Sequence, residues 1–284
     1  MAATRIASLQ PSITLTLQAL GRLDRLVACT RYCLEALPEL AARNLPILHD
    51  SWSADTAEIL AAHPDLVVAS VPYRLESLAA ILKTGIPVLA LTPHTLADIY
   101  KDINLLAGIV EAEDEGRVLV ARMREAIDLT RQRSAPRRRT PLVYCEEWGK
   151  PLIHSQHWVA ELVEAAGGRF LGEPGAHTTP EAVAEANPDV LLFAWCGAGD
   201  RVPLDRVVAQ RNWFDLPAVR HARVYCIPDE YLNTPAHTLL EGLHSIAAAI
   251  HPEIFPSHPR LIQLTGAAES SDQDLVQSSV SSVG

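Results

Sequence analysis

The stretch Ala61-Ala62-His63-Pro64-Asp65-Leu66-Val67-Val68 closes a helical run, turns at Pro-Asp and enters a segment that is apolar at every position. Glu185-Ala186-Asn187-Pro188-Asp189-Val190-Leu191-Leu192 repeats the plan later in the chain. A strand without polar alternation belongs in a sheet covered on both faces. A helix that delivers the chain into such a strand is a building unit of an α/β fold. Because the unit appears once in each half, the sequence predicts two α/β lobes.

Working outward, Ile6-Leu9, Leu26-Thr30, Pro46-His49, Leu66-Ser70 and Val88-Thr92 read as strands of the first lobe. Ile13-Leu20, Thr56-Ala62, Leu75-Leu82 and Leu96-Val110 carry apolar residues at spacings of three and four and read as helices. From Glu113 to Arg133 there is no proline and only Gly116 as glycine, while Val118, Leu119, Met123, Ile127 and Leu129 supply an apolar side. A helix of about five to six turns therefore joins the lobes. The eight arginines from Arg117 to Arg139 read as its solvated face, and Ser134-Ala135-Pro136-Arg137-Arg138-Arg139-Thr140-Pro141 stops it. In the second lobe Leu142-Cys145, Arg169-Leu171, Val190-Trp195 and Val224-Ile227 read as strands. Val159-Ala166, Pro180-Ala186 and Leu239-Ile250 read as helices, the last entered through Thr234-Pro235-Ala236. The Ser-rich tail from Gly266 onward lacks aromatic residues and is expected to be disordered. The predicted organisation is a first lobe over 1–112, a connecting helix over 113–136, a second lobe over 137–262 and a tail over 263–284.

Composition narrows the function. The 284 residues include 24 Lys plus Arg against 34 Asp plus Glu, a net charge of −10, so the basic footprint of a nucleic-acid binder is missing. No apolar run reaches the roughly 18 to 20 residues of a membrane span. The amino terminus passes from Met1 into the first strand without a leader-like apolar segment, so the chain as written is expected in the cytoplasm. If a leader has been removed, the expectation becomes periplasmic or extracytoplasmic. The five cysteines are odd in number; Cys29, Cys145, Cys196 and Cys226 lie in apolar runs and are expected to be buried, reduced thiols.

Signatures of catalysis are missing: Gly197-Ala198-Gly199 lacks the third glycine of a dinucleotide loop, and Cys29-x-x-x-Cys33 stands without a second pair. The chain therefore reads as a non-enzyme with no catalytic residues. His154 and His157, three apart with Glu146-Glu147 just upstream, are the alternative, a metal-binding cytoplasmic protein, although they complete no ligand set and no metal is assigned. The scarce aromatics carry more. Ligands of open α/β sheets bind beyond the carboxyl ends of the strands. Tyr32, Trp52 and Tyr73 follow strands of the first lobe; Trp148, Trp195 and Tyr231 follow or end strands of the second. Six of fifteen aromatic residues thus stand where two lobes would face each other, which suits a flat, partly apolar ligand.

Arg5-Ile6-Ala7-Ser8-Leu9-Gln10-Pro11-Ser12-Ile13-Thr14, Ala19-Leu20-Gly21, His63-Pro64-Asp65-Leu66-Val67-Val68, Gly85-Ile86-Pro87-Val88, and Leu216-Pro217-Ala218-Val219-Arg220 with Arg223-Val224-Tyr225 resemble, in order, the landmarks of the vitamin B12-binding and iron-siderophore-binding proteins of ABC importers. The resemblance implies two Rossmann-like lobes, a rigid connecting helix and a ligand held between the lobes with little closure. In its cobalamin-binding branch the corrin contacts match Tyr32, Trp52 and Trp148, and an acidic contact matches Asp229. Two departures stand out: Ser70 replaces an aromatic residue, and no basic residue occurs near Asn233. The resemblance further implies one glutamate per lobe that docks on a permease. Glu181 is in register, whereas in the first lobe the register falls on Ala57, next to Glu58.

The expected function is binding of a corrinoid, cobalamin or a relative, with heme or a ferric siderophore as alternatives. Ring contacts would come from Tyr32, Trp52, Tyr73, Trp148, Trp195 and Tyr231, and polar contacts from Gln10, Ser12, Glu146 and Asp229. No covalent cofactor is expected. A small-molecule ligand and an ABC permease are the expected partners of a monomeric chain.

Overall fold

In the computed structural model, which describes residues 3–134 and 139–264, the first lobe runs β1 (Ile6–Ser8), α1 (Pro11–Ala19), β2 (Leu26–Thr30), α2 (Arg31–Ala36), β3 (Ile47–Leu48), α3 (Thr56–Ala61), β4 (Leu66–Ser70), α4 (Leu75–Leu82), β5 (Val88–Leu91) and α5 (Leu96–Ile109). The strands are all parallel, in the order β3-β2-β1-β4-β5. One buried cluster, including Ile13, Leu17, Cys29 and Leu106, covers one face; another, including Leu48, Ile59, Val67 and Ile81, covers the other. The order reverses between β1 and β4, the place where a doubly wound sheet opens a crevice.

The chain continues through α6 (Glu113–Ser134), β6 (Leu142–Gly149), β7 (Leu152–His154), α7 (His157–Ala165), β8 (Arg169–Phe170), β9 (His177–Thr178), α8 (Pro180–Ala186), β10 (Val190–Phe193), α9 (Leu204–Gln210), α10 (Pro217–Arg220), β11 (Val224–Cys226), α11 (Leu239–Ile250) and β12 (Ile262–Gln263). The second sheet has the order β12-β11-β10-β6-β7-β9, with β8 also on β6. Its β8, β6, β10 and β11 are parallel. The first strand is longer than the apolar run suggests, because β7 pairs antiparallel with its second half and carries it through Trp148 to Gly149.

The Pro-Asp turns perform one job in both lobes. Asp65 accepts from the backbone N–H groups of Thr4 and Arg5 at 2.9 and 3.0 Å, and Asp189 accepts from the N–H of Leu142 at 2.8 Å. Each aspartate thereby fixes the start of the strand next to its own, β1 in one lobe and β6 in the other. His63 and Asn187, the residues before the prolines, both take positive φ, 48° and 55°.

The α6 helix is packed rather than free. Val120, Met123 and Ile127, at helical spacing, share a buried cluster with Leu96, Ile99 and Ile103 of α5 and with α7, β6, β10 and α11 of the second lobe. Val118 and Leu129, expected on the buried side, instead face solvent. Glu161 of α7 accepts from the N–H of Leu96 at 2.6 Å, so a carboxylate of one lobe meets the helix start of the other.

Trp213 lies in the turn beyond α9 and is buried. Several expectations need correction. Cys196 is exposed, because β10 ends before it; the other four cysteines are buried and all five are unpaired. Ile262–Gln263 pairs antiparallel with β11, so the expected boundary between lobe and tail falls inside a strand. The expected disorder from Gly266 onward, and residues 135–138 of the expected helix stop, lie outside the described residues.

Gly116 sets how closely α5 and α6 approach, since a Cβ there would lie 2.5 Å from the Cβ of Ala107. Gly116→Ala is expected to cost about 1 to 3 kcal/mol by overpacking, read as a lower urea midpoint. Gly108→Ala, where a Cβ would meet nothing within 4 Å, is expected to leave the midpoint unchanged or raise it.

Candidate functional site

Strand β6 brings Glu146 into a fully buried position, 0% exposed. A lone carboxylate there would be very costly, and this one accepts four hydrogen bonds. Arg211, just beyond α9, donates to both carboxylate oxygens at 2.7 and 2.8 Å. The Trp195 indole N–H donates at 2.7 Å, and the Tyr144 hydroxyl also donates. Burial, reinforced by the Glu146 charge, pushes the Tyr144 hydroxyl far above its usual range, so Tyr144 stays a donor. Glu146, expected to meet a ligand, thus has its acceptor positions filled by the protein and acts by fixing Trp195 and Arg211.

These two side chains stand in the wall of a cavity of about 630 Å³, which is also lined by Trp148, Lys150, Cys196 and Gln210. The β6–β7 hairpin supplies one side. The Trp148 indole donates to the Lys150 carbonyl at 2.8 Å, and Gly149 lies flat on the Trp195 ring, where a Cβ would come within 2.6 Å of the indole. The turn after β10 supplies another side. It is held by Asp229, whose two oxygens accept from the N–H groups of Gly197 and Gly199 at 2.8 and 2.7 Å. Burial raises the Asp229 pKa against these stabilising bonds. Asp229, like Glu146, is therefore engaged inside the protein. Tyr231 lies outside the cavity lining, with Arg260 over its ring at 5.2 Å and His258 edge-on at 5.4 Å.

In the first lobe the carboxyl edge gathers the expected residues around the crevice between β1 and β4. Gln10 donates to the Pro72 carbonyl at 3.3 Å, next to half-buried Tyr73. Trp52 is 53% exposed on a turn held by Asp50, whose carboxylate accepts from the N–H groups of Trp52 and Ser53. Ser77 donates to the Trp52 carbonyl, and Arg74 lies 5.8 Å from its ring centre. Tyr32 caps the adjacent edge, its hydroxyl accepting from Arg31 at 2.7 Å. Ser12 is buried and faces a void of about 10 Å³, shared with Ser70, Asp102 and Pro235, at the contact between lobes.

That contact orients the two edges. Pro235, which follows β11 in the second lobe, shares that void with Ser70 and Leu91 at the ends of β4 and β5 and with Pro93, and Ala236 joins the first lobe's core. The carboxyl edges of both sheets therefore converge on the 234–236 segment.

A family model described as periplasmic binding protein matches residues 6–231. The chain belongs to the periplasmic binding protein family. The resemblance read from Arg5–Thr14 and the later landmarks holds, as does the α/β fold of two Rossmann-like lobes. The chain is 29% identical over 271 residues to a vitamin B12-binding protein of Yersinia pestis, covering 90% of this chain and 91% of that one. It is 22% identical over 263 residues to an uncharacterized ABC transporter substrate-binding lipoprotein of Bacillus subtilis, covering 88% and 81%. Among solved structures it superposes on the periplasmic heme-binding protein RhuT from Roseiflexus with a TM-score of 0.75 at 25% identity, covering 88% of this chain and 99% of that one. The family consists of substrate-binding proteins.

The structure separates the alternative metal ligands. His154 is buried between Tyr144 and Phe170, His157 is exposed at the start of α7, and Glu146 is taken by Arg211. Among the described residues no three His, Cys, Asp or Glu side chains are placed to hold a metal ion. Nor, among them, is any helix long and apolar enough to cross a membrane. Lys150 and Arg211, which the sequence reading passed over, both line the cavity. The signal for Arg211 was Glu146 itself, a carboxylate continuing an apolar strand, which demands a buried cation.

Arg211→Met would strand the Glu146 carboxylate and is expected to cost about 3 to 5 kcal/mol of stability, much of it recovered in the Glu146→Gln/Arg211→Met double variant; urea unfolding of the three proteins checks this. Asp102 has an unpaired oxygen at the lobe contact, and burial, with the Asp98 charge, raises its pKa to about 6. A pKa raised on folding favours the fold at low pH and is a growing penalty as pH rises toward 6. Asp102→Asn is therefore expected to raise the unfolding midpoint at pH 8 and to leave it unchanged below pH 4.

Proposed function

We propose that this protein is the binding component of an ABC importer and holds a corrinoid between its lobes. The observation that carries the reading is the second-lobe cavity walled by the Trp148 and Trp195 indoles, at the carboxyl edge of its sheet. Trp148 is 43% exposed, and these rings offer more apolar area than a small polar ligand needs. A macrocycle that brings its own metal has no need of a metal site built from side chains. The named vitamin B12-binding relative supports the same choice. An extracytoplasmic place of work follows from this reading, and the relative described as a lipoprotein supports it.

Within the reading, Glu181 is the docking glutamate. It is exposed on the first turn of α8. Glu58 is held by the N–H and Nδ1 of His49 at 3.0 and 2.9 Å, so the second lobe offers the freer carboxylate.

One observation favours heme as a second reading. The Tyr32 hydroxyl is paired with Arg31, an arrangement that would support a phenolate bound to ferric iron. Titration separates the two. Cyanocobalamin is expected to quench tryptophan fluorescence saturably, and Trp148→Ala and Trp52→Ala are each expected to weaken it about tenfold or more. A hemin spectrum that shifts with the wild type but not with Tyr32→Phe, together with no response to cyanocobalamin, would transfer the assignment to heme. Unchanged cyanocobalamin binding in both tryptophan variants would remove the cavity from the site.

A further inference from the structure

Charge around the cavity is unevenly cancelled. Its lining contains two cations, Lys150 and Arg211, and no carboxylate. The Arg211 charge is spent on Glu146, in a pair whose side chains are only 9% and 0% exposed. The next carboxylate, Glu147, bonds to other groups than Lys150: its oxygens accept from Gln156 at 2.7 Å and from the Cys196 thiol. Burial also raises the Glu147 pKa toward its neutral form. The Asp229 oxygens are closed off by two backbone N–H groups of the turn. Lys150 remains, exposed at the hairpin tip, and its ammonium makes no hydrogen bond or ion pair to any described residue.

The position of that lysine is set by its backbone. The Lys150 carbonyl accepts the Trp148 indole N–H, so the ring that would stack on a ligand and the residue that carries the free cation move as one unit. In a chain of net charge −10, an uncompensated positive charge beside two tryptophans is a local exception to the field of the whole molecule. An ammonium in that place discriminates ligands by an anionic oxygen attached to an apolar body.

Resting on the macrocycle reading above, we infer that Lys150 is a specificity-determining residue that selects ligands carrying one anionic group next to the ring lodged in the tryptophan cavity. That chemistry occurs as the phosphodiester of a corrinoid's nucleotide tail or as the carboxylate of a porphyrin side chain. Lys150 takes the role with no help from the region near Asn233, where the side-chain amide donates to the Ala194 carbonyl and to the Cys196 sulfur.

The test uses the full chain, as wild type, Lys150→Gln and Lys150→Arg, titrated calorimetrically at low and high salt. The probes are cyanocobalamin against dicyanocobinamide, which lacks the nucleotide tail, and hemin against its dimethyl ester, which lacks free carboxylates. Lys150→Gln is expected to weaken the anion-bearing member of the bound pair about fivefold, and added salt should shrink that difference. The member without the anion should bind the variant and the wild type alike, and Lys150→Arg should retain wild-type affinity. The pair that shows the effect identifies phosphodiester or carboxylate as the recognised group. Equal losses for both members, or no loss for either, would overturn the assignment while leaving the macrocycle site standing. If the wild type binds none of the four probes, the macrocycle reading falls and Lys150 falls with it.

Discussion

A buried carboxylate needs a partner, and in this protein that need organises the site. Glu146 is carried into the interior by a strand whose neighbours are apolar, where its charge is tolerable only if cations and donors close around it. Arg211, Trp195 and Tyr144 do so, each from a different part of the second lobe. The cavity wall is thus assembled as the answer to a solvation problem. Trp195 lines the cavity with its N–H anchored on Glu146, and Arg211, anchored there too, lies 4.8 Å from the Trp213 ring centre and 5.8 Å from that of Phe193. Such a wall keeps its shape without a ligand.

The two lobes are joined by more than a strut. One buried cluster runs from α5 through α6 into the sheet of the second lobe, and the 234–236 segment returns to the first. Large relative motion of the lobes would have to open that cluster, exposing apolar side chains that are now dry. The polar contact between Glu161 and the start of α5 adds directionality to the same junction. A ligand site built on such a frame depends on complementarity already present, and this lowers the ordering cost of binding.

Much of this frame was legible in the sequence because it rests on local rules. Val190–Phe193 is apolar at every position, and Thr95 with Asp98 forms a capping box at the start of α5. Short elements were not legible. The β7 strand and the α9 and α10 helices have too few residues for periodicity to register, and β7 exists mainly because β6 is there to pair with it. Strand ends alone point to Trp148 and Trp195, which line the cavity, but also to Tyr231, which does not. The roles of Glu146 and Asp229 could not be read in this way, since both depend on partners distant in sequence, Arg211 in one case and the Gly197–Gly199 turn in the other. Val118 and Leu129 show a further limit: an apolar residue on a helix need not belong to its buried stripe.

The twin aspartates at the Pro-Asp turns have one more implication. Both act at the amino edge of their sheets, fixing where β1 and β6 begin, whereas the proposed ligand-binding residues follow the opposite ends of the strands. Strand register is thus locked from below, by hydrogen bonds that know nothing of what is bound above. Exposed residues of the upper edge, Trp52, Trp148 and Lys150 among them, can be exchanged without disturbing the foundation. A plan divided in this way, with permanence on one side and licence to vary on the other, lets one architecture be refitted for chemically different cargoes.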